Sequence, residues 1–224
     1  MMILASLISA VIGYLMGSIN SAILTVRLLK HEDIRNFGSG NAGLTNTLRC
    51  FGKGCALITL IGDLSKGVIA VLLSQTFGRM LAGADADLFF LGCMAGIFAI
   101  LGHVFPLYHG FKGGKGVLVG VSIFLILDWR IFLILIGIFA LILAISKYVS
   151  LSSIIATACC PLVTFLLHYF VGGLHQDFTL GQTLTHVGMM CIMAVMIISM
   201  HHANIKRLKE GTESKIGQKG SRNK

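Results

Sequence analysis

The feature that most constrains this chain is a series of long apolar runs, rich in Leu, Ile, Val, Phe and Met, recurring from one end to the other. Leu88–Phe105, Leu151–Leu174 and Leu180–Met200 contain no Asp, Glu, Lys or Arg; Met1–Leu28 contains only Arg27, and Cys55–Gly78 only Asp63 and Lys66. About 20 apolar residues in a helix match the roughly 30 Å hydrocarbon core of a bilayer. Charged residues make up only 12% of the chain, against about 25% in ordinary soluble domains. Backbone N–H and C=O groups in hydrocarbon must be satisfied internally, so these runs predict an all-α integral membrane protein. The first run lacks the basic leader of a cleavable signal peptide and reads as a retained span.

Two shorter runs, Gly116–Leu127 and Ile131–Ser146, flank Asp128-Trp129-Arg130. Burying that trio in one long helix would cost about 2.5–3.5 kcal/mol for each charge at the bilayer centre, and Trp favours the interface. The trio is therefore expected at the tip of a hairpin, giving seven crossings. The charge distribution agrees. With seven spans and the N-terminus outside, sixteen of the eighteen Lys and Arg residues fall on the inner face, leaving only Arg79 and Arg130 outside. With six spans the bias towards positive residues inside disappears. The net charge of +9 is thus a topology signal rather than a nucleic-acid-binding surface. The expected organisation is one transmembrane domain, residues 1–203, in a seven-helix bundle with the N-terminus outside, followed by a short basic cytoplasmic tail, 204–224.

This topology gathers four polar clusters on one face: GSGNAGLTNTLR (38–49), GHVFPLYHGFKGGKG (102–116), KYVSLSS (147–153) and HHANIKRLKEGTESKIG (201–217). Each suits an anion. Glycine lets backbone N–H groups approach a ligand closely. Ser39, Asn41, Thr45 and Asn46 offer neutral donors, and Arg49 a planar fork that matches phosphate. Lys112 and Lys115 lie in a glycine-rich loop opening a helix whose amino end adds partial positive charge. Asp63 and Lys66, three apart, share a helix face and are expected to pair. His103 borders the Gly/Lys loop. His168 and His186 read as packing or polar-contact residues. The six cysteines read as small core side chains rather than a metal site or disulfide framework.

Several activities are disfavoured. Gly38, Gly40 and Gly43 match the spacing of a dinucleotide loop, but a membrane helix precedes them where a strand is required. Neither a P-loop nor an H-E-x-x-H sequence occurs. No His precedes an Asp by five positions, the spacing of the common acyltransferases that use acyl-CoA or acyl carrier protein. Glycine-rich breaks and buried charges also suit a transporter of small phosphorylated anions, but such sites lie near the midplane between inverted repeats, and no repeat is visible here.

The four clusters, with GDLSKG at 62–67 and GSIN at 17–20, resemble in order and over almost the whole chain the bacterial acyl-phosphate-dependent glycerol-3-phosphate acyltransferases (PlsY). A long polar outer loop near 172–183 is a mild departure. The resemblance implies a bacterial inner-membrane enzyme that moves a fatty acyl group from acyl phosphate to the sn-1 hydroxyl of glycerol 3-phosphate, giving lysophosphatidic acid and phosphate. It implies no acyl-CoA, ATP, metal or other cofactor, and a soluble phosphate acyltransferase as the supplier of acyl phosphate. On that basis Ser39, Arg49 and Lys115 are expected to hold glycerol 3-phosphate. Asn41, Asn46, His201, Asn204, and the glycines of 38–43 and 113–116 (Gly38, Gly40, Gly113 and Gly114 among them) would support the acyl phosphate or oxyanion. Thr45 and Lys112 join the phosphate donors, and Ser150 and Ser153 complete the pocket. Asp63, Lys66 and His103 support it, while Glu213 orients a lysine or the glycerol hydroxyls. The proton of the attacking hydroxyl goes to His201 or to a phosphate oxygen of a substrate.

Overall fold

The computed structural model describes residues 1–172 and 178–217, which form a helical bundle with no strand among them. The basic residues beyond 217, used above in the charge argument, lie outside the described residues, as do residues 173–177 of the polar loop expected near 172–183. Among the described residues, six helices are long and apolar enough to cross a membrane: Met2–Lys30, Leu44–Ala82, Leu88–His109, Trp129–Ser146, Val149–Val171 and Leu180–Ser199. A further apolar stretch, Val117–Leu127, is shorter.

The first run is not one continuous helix. It divides into α1 (Met2–Ser18) and α2 (Ser21–Lys30) at Ile19 and Asn20, both in extended backbone. Asn20 ends one helix and starts the next: its Oδ1 accepts the Ile23 N–H at 3.0 Å, capping α2. The break leaves the carbonyls of Gly17 and Ile19 free for a side chain from another helix. Above it, α1 packs against α4 (Leu88–Val104) through small residues; a Cβ at Gly13 or Gly17 would run into the backbone of Ala95 or Ala99. Such small-residue contacts let membrane helices approach closely.

The helix α3 (Leu44–Ala82) bends at Gly52, whose φ of 82° is accessible to glycine without strain. Its first two turns therefore lie apart from the long apolar shaft that follows. After α4 the loop turns back alongside that helix's end: the Gly113 and Gly114 N–H groups donate to the carbonyls of Val104 and His103, each at 3.0 Å. This places the start of α5 (Val117–Ser122) below the end of α4, with Gly116 packed against Ile100. Further along, α6 (Phe124–Leu127) reaches Gly92. The chain reverses at Asp128, which caps α7 (Trp129–Ser146) through the Arg130 N–H and pairs with the Arg130 side chain at 2.7 Å.

The bundle continues with α8 (Val149–Leu166), a π-helical turn at Leu167–Gly172, α9 (Leu180–Ser199) and α10 (His202–Lys209). The segment after α9 packs back onto the bundle as far as Ile216, whose N–H donates to the Lys147 carbonyl at 2.8 Å. Residues 204–217 are therefore structurally part of the bundle end.

Candidate active site

Residues from all four polar clusters line one cleft of about 400 Å³ at the end of the bundle where α4 terminates. Its first wall is the glycine-rich segment before α3. Gly38 and Gly40 turn the chain with φ of 56° and 70°. Asn46 fixes the turn from within: its Oδ1 accepts the Ser39 N–H at 3.1 Å and its Nδ2 donates to the Phe37 carbonyl at 2.9 Å. Gly43 caps α3 without a side-chain acceptor, so the first-turn N–H groups of α3 remain available to an anion. The Arg49 guanidinium, half-buried on the cleft wall, has no hydrogen-bond or ion-pair partner among the described residues.

The opposite wall is a connected set of side chains. Lys115 donates to the Asn204 side-chain oxygen. The Asn204 Nδ2 donates to Glu213 Oε1 at 2.6 Å, the Ser150 hydroxyl donates to the same oxygen at 2.7 Å, and Arg207 Nε donates to Oε2 at 2.6 Å. Glu213 thus orients Asn204 and Arg207, and through Asn204 it orients Lys115. Burial, the dominant influence, pushes the Lys115 ammonium down to about 8, opposed by the Glu213 charge and reinforced by Arg207 and Arg49. Burial raises the Glu213 carboxyl, but hydrogen bonds from Asn204, Ser150 and Arg207 outweigh it and leave the group below its ordinary value.

His201 is buried beside this network. Its Nδ1 lies 2.8 Å from the Ile197 carbonyl, and a carbonyl only accepts, so Nδ1 carries the proton and Nε2 keeps its lone pair. Burial lowers its pKa to about 4, so the ring is neutral at physiological pH. At the cleft floor lie Asp63 and His103. The Lys66 ammonium is 3.0 Å from Asp63 Oδ1 and donates to the Gly17 and Ile19 carbonyls at 3.2 and 2.9 Å, the two acceptors freed by the α1–α2 break.

The cleft brings together Gly38, Ser39, Asn41, Thr45, Asn46, Arg49, Lys115, Ser150, Ser153, His201, Asn204 and Glu213. Several expected donors do other work. The Asn46 amide is occupied in holding the Gly38–Ser39 turn. The Gly113 and Gly114 N–H groups are bonded to α4 carbonyls and cannot form an anion nest; these glycines are needed because a Cβ on either would strike the backbone of neighbouring residues or His103. The Gly40 N–H is bonded to the Phe37 carbonyl. Lys112 is exposed and outside the cleft lining; its carbonyl accepts from Arg35 Nη1 at 3.2 Å. The Ser153 hydroxyl donates to the Val149 carbonyl of its own helix, so Ser153 contributes shape.

Two basic residues with clear roles looked like ordinary inner-face charges in the sequence. Arg207 lines the cleft and bonds Glu213. Arg35 ties the two loops together, gripping Asp33 with Nε and Nη2 while its Nη1 donates to the His109 carbonyl at 2.7 Å. The Arg35 hydrogen bond holds the Asp33 carboxyl well below the usual carboxylate range.

A narrower apolar cavity of about 110 Å³ leads from the cleft between α5, α7, α8 and α9, sharing Val117, Leu118, Phe139 and Ser153 with it and ending near Phe124, Cys160 and Met193. A donor-rich cationic cleft joined to an apolar slot within a helical bundle defines a multi-pass membrane protein that handles an amphiphilic anion. The chain matches the family described as Glycerol-3-phosphate acyltransferase over residues 7–211 and belongs to that family. It is 37% identical to the glycerol-3-phosphate acyltransferase of Synechococcus sp. (strain CC9902), covering 98% of this chain and 99% of the relative. It is 39% identical to that of Clostridioides difficile (strain 630), with 98% and 99% covered. Its fold is similar to the crystal structure of PlsY (YgiH), an integral membrane glycerol 3-phosphate acyltransferase, in its glycerol 3-phosphate form: TM-score 0.78 and 31% identity, with 95% of this chain and 96% of that chain covered. The lysophosphatidic acid form of PlsY matches with a TM-score of 0.74 and 29% identity, with 95% of each chain covered.

Proposed function

We propose that this protein transfers a fatty acyl group from acyl phosphate to the sn-1 hydroxyl of glycerol 3-phosphate, releasing lysophosphatidic acid and inorganic phosphate. The observation that carries this reading is the junction of cleft and slot. Two phosphorylated head groups need several unpartnered donors at one place, and one of them brings a hydrocarbon chain. Arg49, Lys115 and the Ser39 hydroxyl hold glycerol 3-phosphate. The amino end of α3, with Asn41 and Thr45, faces the phosphate of the acyl donor. Asn204, Ser150, Glu213 and Arg207 keep Lys115 in position. The acyl chain enters the slot at Val117 and Leu118.

Acyl phosphate is a mixed anhydride with a good leaving group, so no covalent enzyme intermediate is needed. Juxtaposing the two reactants can contribute about 7–11 kcal/mol. The hydroxyl proton passes to a phosphate oxygen, which titrates near pH 6 and is the stronger base beside a His201 held at about 4. His201 instead offers its Nε2 lone pair to a substrate hydroxyl.

With the N-terminus outside, as the charge distribution favours, this cleft would face the cytosolic side of a bacterial inner membrane, where a soluble phosphate acyltransferase would deliver the donor. Val117–Leu127 supplies a seventh crossing. At 1.5 Å per residue it is about 16 Å long; the 113–116 loop turns back along the end of α4, and on this reading it would carry the start of the crossing into the bilayer. A cleft at one end of the bundle fits transfer better than transport, which needs a site near the midplane. The test is phosphate release from palmitoyl phosphate by the purified protein, with and without glycerol 3-phosphate. Release that depends on glycerol 3-phosphate, with palmitoyl-CoA and palmitoyl-acyl carrier protein inert as donors, is the expected result. Equal use of palmitoyl-CoA would overturn the donor assignment, and glycerol phosphate uptake by vesicles without a donor would favour a transporter.

A further inference from the structure

His103 is 3% exposed and lines the cleft floor. Its Nδ1 lies 2.8 Å from the Lys66 Nζ. Lys66 has three protons, and three acceptors lie in hydrogen-bond geometry: the Gly17 carbonyl, the Ile19 carbonyl and this ring nitrogen. Asp63 Oδ1, 3.0 Å away, balances the ammonium charge. An ammonium group only donates, so Nδ1 of His103 is a lone pair and the proton of the neutral ring sits on Nε2. An imidazolium would set a second cation beside Lys66 with one carboxylate between them, and the 3.7 Å from His103 Nδ1 to Asp63 is too long for the hydrogen bond that would stabilise it. The Nε2–H has no partner among the described residues. That donor is not enclosed by protein: it opens onto the cleft floor, where a ligand can supply its acceptor.

The fold identifies which part of the ligand. Gly114 packs against the His103 ring, and Gly116 packs against Ile100, three residues earlier on α4. Val117 and Leu118 follow at once and line both cleft and slot. His103 therefore stands where the head-group cleft meets the acyl slot. The group of an acyl phosphate lying between its phosphate and its chain is the carbonyl.

We propose that His103 is a catalytic residue: a neutral imidazole, its tautomer set by Lys66 and Asp63, that donates Nε2–H to the acyl carbonyl oxygen as that oxygen becomes an anion. This rests on the acyl-transfer reading above. The sn-1 oxygen attacks the acyl carbon, forming the new C–O bond while the carbonyl π pair moves onto oxygen, where the Nε2–H meets it. As the carbonyl re-forms, the bond from the acyl carbon to the phosphate oxygen breaks. Phosphate leaves with that electron pair and the hydroxyl proton is taken up by a phosphate oxygen. A neutral donor suits a centre that gains charge only in the transition state, and a neutral histidine acting as an electrophile at a carbonyl has a precedent in triosephosphate isomerase.

The experiment uses the full chain purified in lipid nanodiscs. His103→Phe should lower kcat with palmitoyl phosphate by about 100-fold to 1,000-fold, the loss typical of one oxyanion donor, with KM for glycerol 3-phosphate within about 3-fold. His103→Gln, whose amide can occupy the Nε2 position, should retain activity within about 10-fold. A His103→Phe variant with kcat within 3-fold of wild type overturns the proposal. Nitrogen-15 NMR of histidine-labelled wild-type protein gives a test that depends on no variant's activity, with His103→Gln used for assignment. The proton should be on Nε2, and its resonance should move downfield when a non-reactive acyl phosphonate binds. A proton on Nδ1, or no change on binding, overturns it as well. If wild-type protein transfers no acyl group at all, the failure belongs to the underlying reading instead.

Discussion

At the Asp87 end of α4 the buried polar side chains largely bond one another. Asp87 caps α4 through the Phe90 N–H at 2.8 Å and holds His186 Nε2 at 3.0 Å. Thr179 and Gln182 close a capping box on α9, and Asp128 pairs with Arg130. His168 is stacked on Phe178 with ring centroids 4.3 Å apart and has Phe89 edge-on at 4.7 Å. At the His103 end, Arg49, the His103 Nε2–H, the Ser39 hydroxyl and the first turn of α3 have no acceptors among the described residues and surround an open cleft. Polarity is thus spent at one end mostly on joining helices, His168 Nε2 being buried with no hydrogen-bond partner among the described residues, and kept at the other for ligands. Substitutions should separate accordingly into those that cost stability and those that cost activity.

The largest effect is expected at Arg49. Arg49→Ala removes a charge-assisted fork that no carboxylate among the described residues uses, so kcat/KM for glycerol 3-phosphate should fall about 1,000-fold, equivalent to about 4 kcal/mol, while the melting temperature stays unchanged. Steady-state kinetics and a thermal melt on the same preparation check both parts, and a matching loss of stability would erase the contrast between the two ends. Glu213→Ala should do both kinds of damage. It strands the Ser150, Asn204 and Arg207 donors, so activity should fall about 100-fold and the melt should move down, since each buried donor left unsatisfied costs about 1–3 kcal/mol. Glu213→Gln, which keeps one acceptor oxygen, should recover part of each.

At the other end, Asp87→Ala removes a helix cap and the partner of a fully buried imidazole. The expected cost is about 1–3 kcal/mol of stability, read as a lower melting temperature, with kcat/KM of the folded protein within about 2-fold of wild type. A loss of activity without loss of stability would mean that the Asp87 end takes part in the reaction.

How far the sequence foretold this division depends on how local each interaction is. The apolar runs report helices because burial in lipid is a property of each residue, and Asp63 with Lys66 was readable because three residues along a helix is a fixed geometry. The hairpin tip at Asp128 was readable from the cost of burying charge. The break at Asn20 was hidden because one amide within an apolar run does not alter its hydropathy. The fate of the Gly113 and Gly114 N–H groups was hidden for another reason: their acceptors, Val104 and His103, belong to a helix end whose approach is set by tertiary packing. Asn46 read as a ligand donor and proves to be a turn clamp, since an amide suits both roles. Arg207 read as one more inner-face charge because topology and binding use the same residue type.

The smallest predicted effect tests the cleft through its titration. Lys115 is held at about 8 chiefly by burial. Its positive charge is present below that pH in the folded protein and is lost as pH rises through it. The pH profile of kcat/KM reports groups of the free enzyme, so kcat/KM for glycerol 3-phosphate should decline above pH 8, by up to about 10-fold at pH 9. Stability should move the other way. Between about 8 and the ordinary lysine value of 10.5 the unfolded chain binds a proton that the folded chain does not, so the Lys115 contribution to stability rises with pH across that window. Lys115→Met should abolish both trends: its residual activity should be flat from pH 7 to 9, and its melting-temperature difference from wild type should shrink as pH rises. If wild-type kcat/KM stays level to pH 9, the Lys115 charge either does not contact the substrate phosphate or is not depressed by burial. Measuring the modification rate of Lys115 by an amine-reactive reagent across the same pH range separates those two outcomes.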